Sequence, residues 1–221
     1  RLAIEHQVSD ALDLFSYPFD VARCGAENLA THPRSLHSLT YFYNWCFSSV
    51  ATDYAVKWDG DMVLSQRGVQ VIRDLSWRLR GTDRVVISFP RSPVYIESEQ
   101  VAYLDTSLAH AEPWICPNVD DFYYEKGFDW EIAHVPAEAK TRVLSNNVCF
   151  ELKWLGSDEF AHWTDNDFAP NLGRKRREYE VFTRLERGDQ ADGVVRVEMA
   201  EGDAHVITTI RREYERLLSE S

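Results

Sequence analysis

Asp59-Gly60-Asp61 stands between two apolar runs, and the way the chain passes through it decides what kind of sheet can form. Tyr54, Val56 and Trp58 lead in; Met62, Val63 and Leu64 lead out. Asp-Gly between two β-prone runs is a strong hairpin signal, which would make the neighbouring strands antiparallel. Two carboxylates flanking a glycine at the end of a buried strand are also a good site for a hard divalent cation. The window alone leaves both readings open.

The surrounding sequence bears on the choice. Leu36, Leu39, Tyr43, Cys46, Phe47 and Val50 fit one face of a helix that Thr31 or Ser35 could cap. Ser65 is placed to cap a second helix with Val69, Ile72, Leu75 and Leu79 inward and Gly81 at its stop. Residues 1–14 predict a first helix and 12–20 a short strand, with 21–34 as loop. This alternation predicts an α/β fold with a mainly parallel, Rossmann-like sheet flanked by helices. Asp59 and Asp61 would then lie at the carboxyl end of a strand, where open α/β sheets bind ligands.

Beyond residue 84 the pattern changes. Residues 84–89, 94–97 and 100–104 read as three short strands separated by Pro-containing turns, and 105–140 as a loop-rich stretch. Residues 148–155 alternate like a strand, a basic helix starts near Arg174, and 194–199 is a last strand. Asp203 caps a closing helix with Val206, Ile207, Ile210, Tyr214, Leu217 and Leu218 inward. The expectation is a single domain over 1–221, with a donor- and metal-binding part to 104 and an acceptor-side part from 105.

A formal net charge of −12 argues against a general nucleic-acid binder. Cys24, Cys46, Cys116 and Cys149 have no metal-type spacing and read as reduced thiols of a cytoplasmic protein, peripheral at most to a membrane. No apolar run is long enough to span a bilayer.

Asn44-Trp45, Asp53-Tyr54 and Lys57-Trp-Asp-Gly-Asp-Met62 together resemble the DxD region of GT-A glycosyltransferases, closest to the bacterial family 2 enzymes. Phe150-Glu-Leu-Lys-Trp154, Phe160-Ala-His-Trp163, Gly173-Arg-Lys-Arg-Arg-Glu-Tyr179 and Leu185-Glu-Arg-Gly188 resemble the tail of the same enzymes. The likeness covers roughly residues 36–190. It implies a GT-A fold and an inverting transfer of a sugar from a UDP- or GDP-linked donor to a saccharide or lipid-linked acceptor. The process would be polysaccharide or glycoconjugate synthesis. It also implies Mn²⁺ or Mg²⁺ on Asp59 and Asp61. Those enzymes begin with a strand and an Asn/Asp-Gly-Ser-like turn that contact the nucleotide. This chain opens at Arg1 in helix-like sequence, so that strand is expected to be missing.

Candidate roles follow from the chemistry. A divalent cation offsets charge on a departing diphosphate, and His162 would suit it as a third ligand. Asp129 or Glu131 is the candidate general base for the acceptor hydroxyl. Asp158 and Glu159 are rivals for either role. Arg174, Lys175 and Arg177, near a helix N-terminus, could hold the diphosphate, although such a run is commonly a solvated face. Trp114, Trp130 and Trp163 could stack on sugar or fill the core. A metal-dependent nucleotidyl or phosphoryl transferase is the rival enzyme class, and a truncated, non-catalytic transferase-like domain the rival without activity.

Overall fold

The computed structural model describes residues 13, 15–80, 84–107, 110–127, 130–144, 148–161, 163 and 173–220. In chain order these form α1 (Ala26–Ala30), α2 (Leu39–Ser48), β1 (Tyr54–Val56), β2 (Met62–Leu64), α3 (Gln66–Arg78) and β3 (Val85–Ile96). There follow β4 (Val101–Asp105), β5 (His110–Pro117), β6 (Tyr123–Lys126), β7 (Glu131–His134), β8 (Lys140–Val143) and β9 (Cys149–Trp154). The chain closes with α4 (Gly173–Glu186), β10 (Val194–Glu198) and α5 (Val206–Glu220). The expected helix over 1–14 lies outside the described residues.

The expected mainly parallel sheet is overturned. Eight strands form a mixed sheet centred on β3. Against one edge of β3 lie β5 and then β4, both antiparallel. Against the other lie β8 and then β9, both parallel. The outer pairings, β1 with β5, β2 with β9 and β10 with β4, are antiparallel. The cause is connection length. A parallel neighbour needs a crossover of a dozen residues or more, and only four separate β3 from β4. Among the described residues no helix falls between β3 and β9, so the early helix–strand alternation does not continue into the sheet's centre.

Two expected strands, 84–89 and 94–97, are one strand of 12 residues, every one buried. Pro90 and Pro93 lack N–H donors but keep their acceptors, and the Pro90 carbonyl accepts from Val148 N at 3.2 Å. Within Pro90–Pro93 the strand's alternation changes parity. Val85, Ile87 and Phe89 pack in the cluster beneath α3. Val94 and Ile96 pack in the cluster beneath α5. The two helices share a face, since Glu215 on α5 accepts from Arg67 N at the start of α3 at 3.0 Å. On the opposite face α2 packs against Val86, Cys116, Phe122 and Tyr124, and α4 packs against Tyr95.

Local signals place the helices. Ser38, rather than Thr31 or Ser35, caps α2 by accepting from Tyr41 N, and Ser65 caps α3 by accepting from Gly68 N. Asp203 accepts from Thr209 and Arg212 at the head of α5. Residues 15–20 form no strand, and the 21–34 stretch contains the short α1.

β1 and β2 do not pair with each other, which eliminates the Asp-Gly hairpin. They lie four strand spacings apart in the row β1-β5-β3-β9-β2. At ~4.8 Å per spacing that is ~19 Å across a flat sheet, close to the ~21 Å limit of the six Cα steps between Val56 and Met62. A turn in which Met62 N donates to the Asp59 carbonyl (3.1 Å) shortens that reach. The sheet therefore curls, and residues 57–61 form a strap between its two flanks. The Lys57 amide donates to the Trp114 carbonyl on β5, and the Asp61 carbonyl accepts from Leu152 N on β9 (2.9 and 2.8 Å).

Candidate active site

The strap borders a cavity of about 570 Å³. The α2 side supplies Leu39 and Tyr43; α4 supplies Lys175 and Glu178; the sheet supplies Arg91, Glu112, Glu151 and Lys153. The β6–β7 hairpin completes it with Trp130, Glu131 and Ile132. This hairpin is a separate two-stranded unit fastened to α2. Asn44 donates to the Tyr124 carbonyl (2.9 Å) and accepts from Tyr124 N (2.7 Å). Lys126 donates to the carbonyls of Leu29 and Thr31.

The charges form an ordered row. Arg91 on β3 reaches Glu112 on β5 (3.1 Å) and Glu151 on β9 (2.6 Å), and its guanidinium lies 5.3 Å from the Trp114 ring. Lys153, two residues along β9 and on the same face as Glu151, meets Glu151, Glu159 and Glu178 at 3.2, 2.8 and 3.6 Å. Its side chain is only 2% exposed, and three carboxylates hold its proton against the cost of burial. Lys57, on the strap, donates to both carboxylate oxygens of Asp59 at 2.9 Å and stands 4.0 Å from Glu131.

Six carboxylates line the cavity against four cationic side chains. Two carboxyls at or beside the cavity are held above their ordinary values, chiefly by burial. Burial, then Glu151, pushes the Asp61 carboxyl up to about 6 despite Lys153 nearby. Burial raises the Glu131 carboxyl above its ordinary value of 4.5, with Lys57 opposing the shift.

Of the expected site residues, Asp59, Glu131 and Lys175 line one cavity, and Asp61 lies beside it, turned toward Glu151 and Lys153. Trp130, Trp163 and Glu159 also line it. Trp114 is fully buried, donating to the Phe89 carbonyl, and serves the core. Lys175 lies 4.6 Å from the Trp163 ring and 3.8 Å from Cys24 Sγ. Arg177 turns elsewhere: its guanidinium pairs with buried Asp105 (3.5 Å) and bonds Ser107 and the Asp192 carbonyl. Asp158 pairs with Arg23 on the exposed surface. Asp129, His162 and the Arg174 side chain lie outside the described residues.

Sequence reasoning missed Arg91, Glu112, Glu151, Lys153 and Glu178. The signal was present: Glu151 and Lys153 share one face of a strand that is otherwise apolar, and Arg91 is the one charged residue of β3. Charges enter such strands at a cost that partners or ligands must offset.

Among the described residues, no three His, Cys, Asp or Glu side chains gather closely enough to hold a metal ion by themselves. Of the two carboxylates expected to hold a hard cation, Asp59 lines the cavity with both oxygens on Lys57, and Asp61 lies beside the cavity. No helix among the described residues is long and apolar enough to cross a membrane. Compared with protein-family models, curated proteins and solved structures, the chain matches none.

Proposed function

We propose that this cavity is the active site of a glycosyltransferase that moves a sugar from a UDP- or GDP-linked donor to a hydroxyl of a saccharide or lipid-linked acceptor. The observation that carries the reading is the lining itself. Carboxylates, which accept hydrogen bonds from sugar hydroxyls, line a space of ligand size together with the aromatic side chains of Tyr43, Trp130 and Trp163. The likeness of 57–62 and 150–188 to family 2 transferases points the same way.

Glu131 is the general base. Its burial raises its proton affinity toward the working range, and it sits beside Trp130, on which an acceptor ring can stack. It takes the proton of the acceptor hydroxyl as the oxygen attacks the anomeric carbon, a single displacement that inverts that centre. Lys175, in the first turn of α4, faces the cavity as a contact for the donor diphosphate. Asp59 and Asp61 would hold Mn²⁺ or Mg²⁺, which supplies charge stabilisation to the departing diphosphate. Arg91 and Lys153 keep Glu112, Glu151, Glu159 and Glu178 ordered behind these groups.

Calorimetric titration of UDP and of GDP, with and without Mn²⁺, tests this on the native chain and on Asp59→Asn. The expected result is metal-dependent binding of one nucleotide, lost in the variant. A folded protein that binds neither nucleotide sinks the reading.

A further inference from the structure

Across the sheet from the cavity, α3 turns a cationic and aromatic stripe to solvent. Helical spacing puts Val69, Arg73, Trp77 and Arg80 on one line, the last of them just past the end of α3. All four are exposed, and Trp77, at 65%, is the most exposed large apolar side chain among the described residues. The Arg80 guanidinium lies 4.2 Å from its ring. Beside this stripe, Arg78 and Arg142 stand at an apolar cleft of about 150 Å³ walled by Leu75, Leu79, Val85, Ile87 and Leu144. The chain carries a net charge of −12, yet between residues 66 and 80 four arginines stand against one carboxylate, Asp74. Among the described residues the guanidiniums of Arg73, Arg78 and Arg142 have no ion pair.

Unpaired guanidiniums take phosphate oxygens two at a time. An exposed Trp set among them suits the boundary between headgroups and acyl chains, because its ring is apolar and its N–H polar. A nucleic acid would satisfy the arginines and leave the cleft unfilled. An acyl segment fills it, since an apolar cavity of this size takes up a hydrocarbon of about six carbons. We propose that this face docks on a bilayer containing anionic phospholipid, with Arg73, Arg78, Arg80 and Arg142 on headgroup phosphates, Trp77 at headgroup level and an acyl segment in the cleft. The proposal does not rest on glycosyl transfer. Docking by α3 leaves the cavity, bordered by α2 and α4 on the other face of the sheet, open to solvent.

The test is co-sedimentation with vesicles of phosphatidylcholine alone and of phosphatidylcholine mixed with phosphatidylglycerol, at low and high salt, with circular dichroism to establish folding. The native chain is expected to bind the anionic vesicles alone, and more weakly in high salt. Arg78→Gln with Arg142→Gln is expected to weaken binding about 25-fold, roughly fivefold per guanidinium, and Trp77→Ser about tenfold. These side chains are exposed, so the variants keep the fold. Arg34→Gln with Arg187→Gln removes the same charge beside α2 and α4, and should bind like the native chain. A native chain that ignores anionic vesicles overturns the proposal. Equal loss in the two arginine pairs also overturns it, because diffuse charge then suffices. Retention on immobilised DNA or polyglutamate that the Arg78 and Arg142 pair loses, with Trp77→Ser harmless throughout, assigns the face to an acidic macromolecule instead of a bilayer.

Discussion

Single residues here carry costs that local rules do not anticipate. Gly68 lies inside α3, where alanine ordinarily improves a helix by ~1 kcal/mol. A Cβ at this position would stand 2.0 Å from the Val148 carbonyl, so helix and β9 would have to part. Gly68→Ala is expected to destabilise by ~1–3 kcal/mol in chemical denaturation. Glu131 shows the reverse trade. Its carboxyl is raised above 4.5 in the folded chain, so folding favours the protonated form, and its contribution to stability is greatest below about pH 4.5 and declines as pH rises past that value. Glu131→Gln is therefore expected to raise Tm at pH 7 relative to the native chain while lowering transfer by ~10²–10⁴-fold. Cys116 and Cys149 are both pushed up to about 12 by burial. Mass spectrometry after alkylation at pH 8 should find both unmodified in the native state, with half-buried Cys24 labelled ahead of them.

At the scale of elements, the β6–β7 hairpin is the piece most exposed to perturbation. It carries Trp130 and Glu131 to the cavity, yet no strand of the main sheet pairs with it. The two-way bond between Asn44 and the Tyr124 backbone is its chief tie to α2. Asn44→Ala leaves a part-buried donor and acceptor without that partner and should speed hydrogen exchange in 123–134 ahead of the main sheet. Much of the element list was legible in the sequence. The Ser65 cap, the inward face of α5, and β9 and β10 follow from spacing and capping chemistry. On α3, by contrast, Val71 turns inward in place of the expected Val69, Leu36 lies exposed ahead of α2, and the stretch 105–140 read as loop-rich holds β5 to β8. What the pattern cannot encode is partner direction. A strand buried on both faces, such as β3, reads as a continuous apolar run whether its neighbours are parallel or antiparallel. The prolines at 90 and 93 were read as breaks because sequence does not reveal which N–H groups the ladder can spare. The cavity was half legible for a related reason. Asp59, Glu131 and Lys175 sit in motifs, whereas Arg91, Glu112 and Lys153 acquire meaning only once β5, β3 and β9 lie side by side.

For the whole molecule, the core and the candidate site share one side chain. Trp114 is fully buried, stacks on Phe89 with ring centroids 5.7 Å apart, and offers its ring to both Lys57 and Arg91. Trp114→Ala is expected to cost ~3–5 kcal/mol and to weaken ligand binding beyond what the loss of fold accounts for, as calorimetry on the folded fraction would report.

The strap of residues 57–61 carries a consequence for how the chain folds. Its two ends are fixed by β5 and β9, which follow it by some 60 and 90 residues in sequence. The two aspartates are neighbours in sequence, yet their placement depends on long-range closure, the slow part of folding. No local nucleus can assemble this site early. Competence to bind ligand should therefore appear only with the last cooperative phase of refolding, and denaturant should abolish binding and sheet structure at one midpoint.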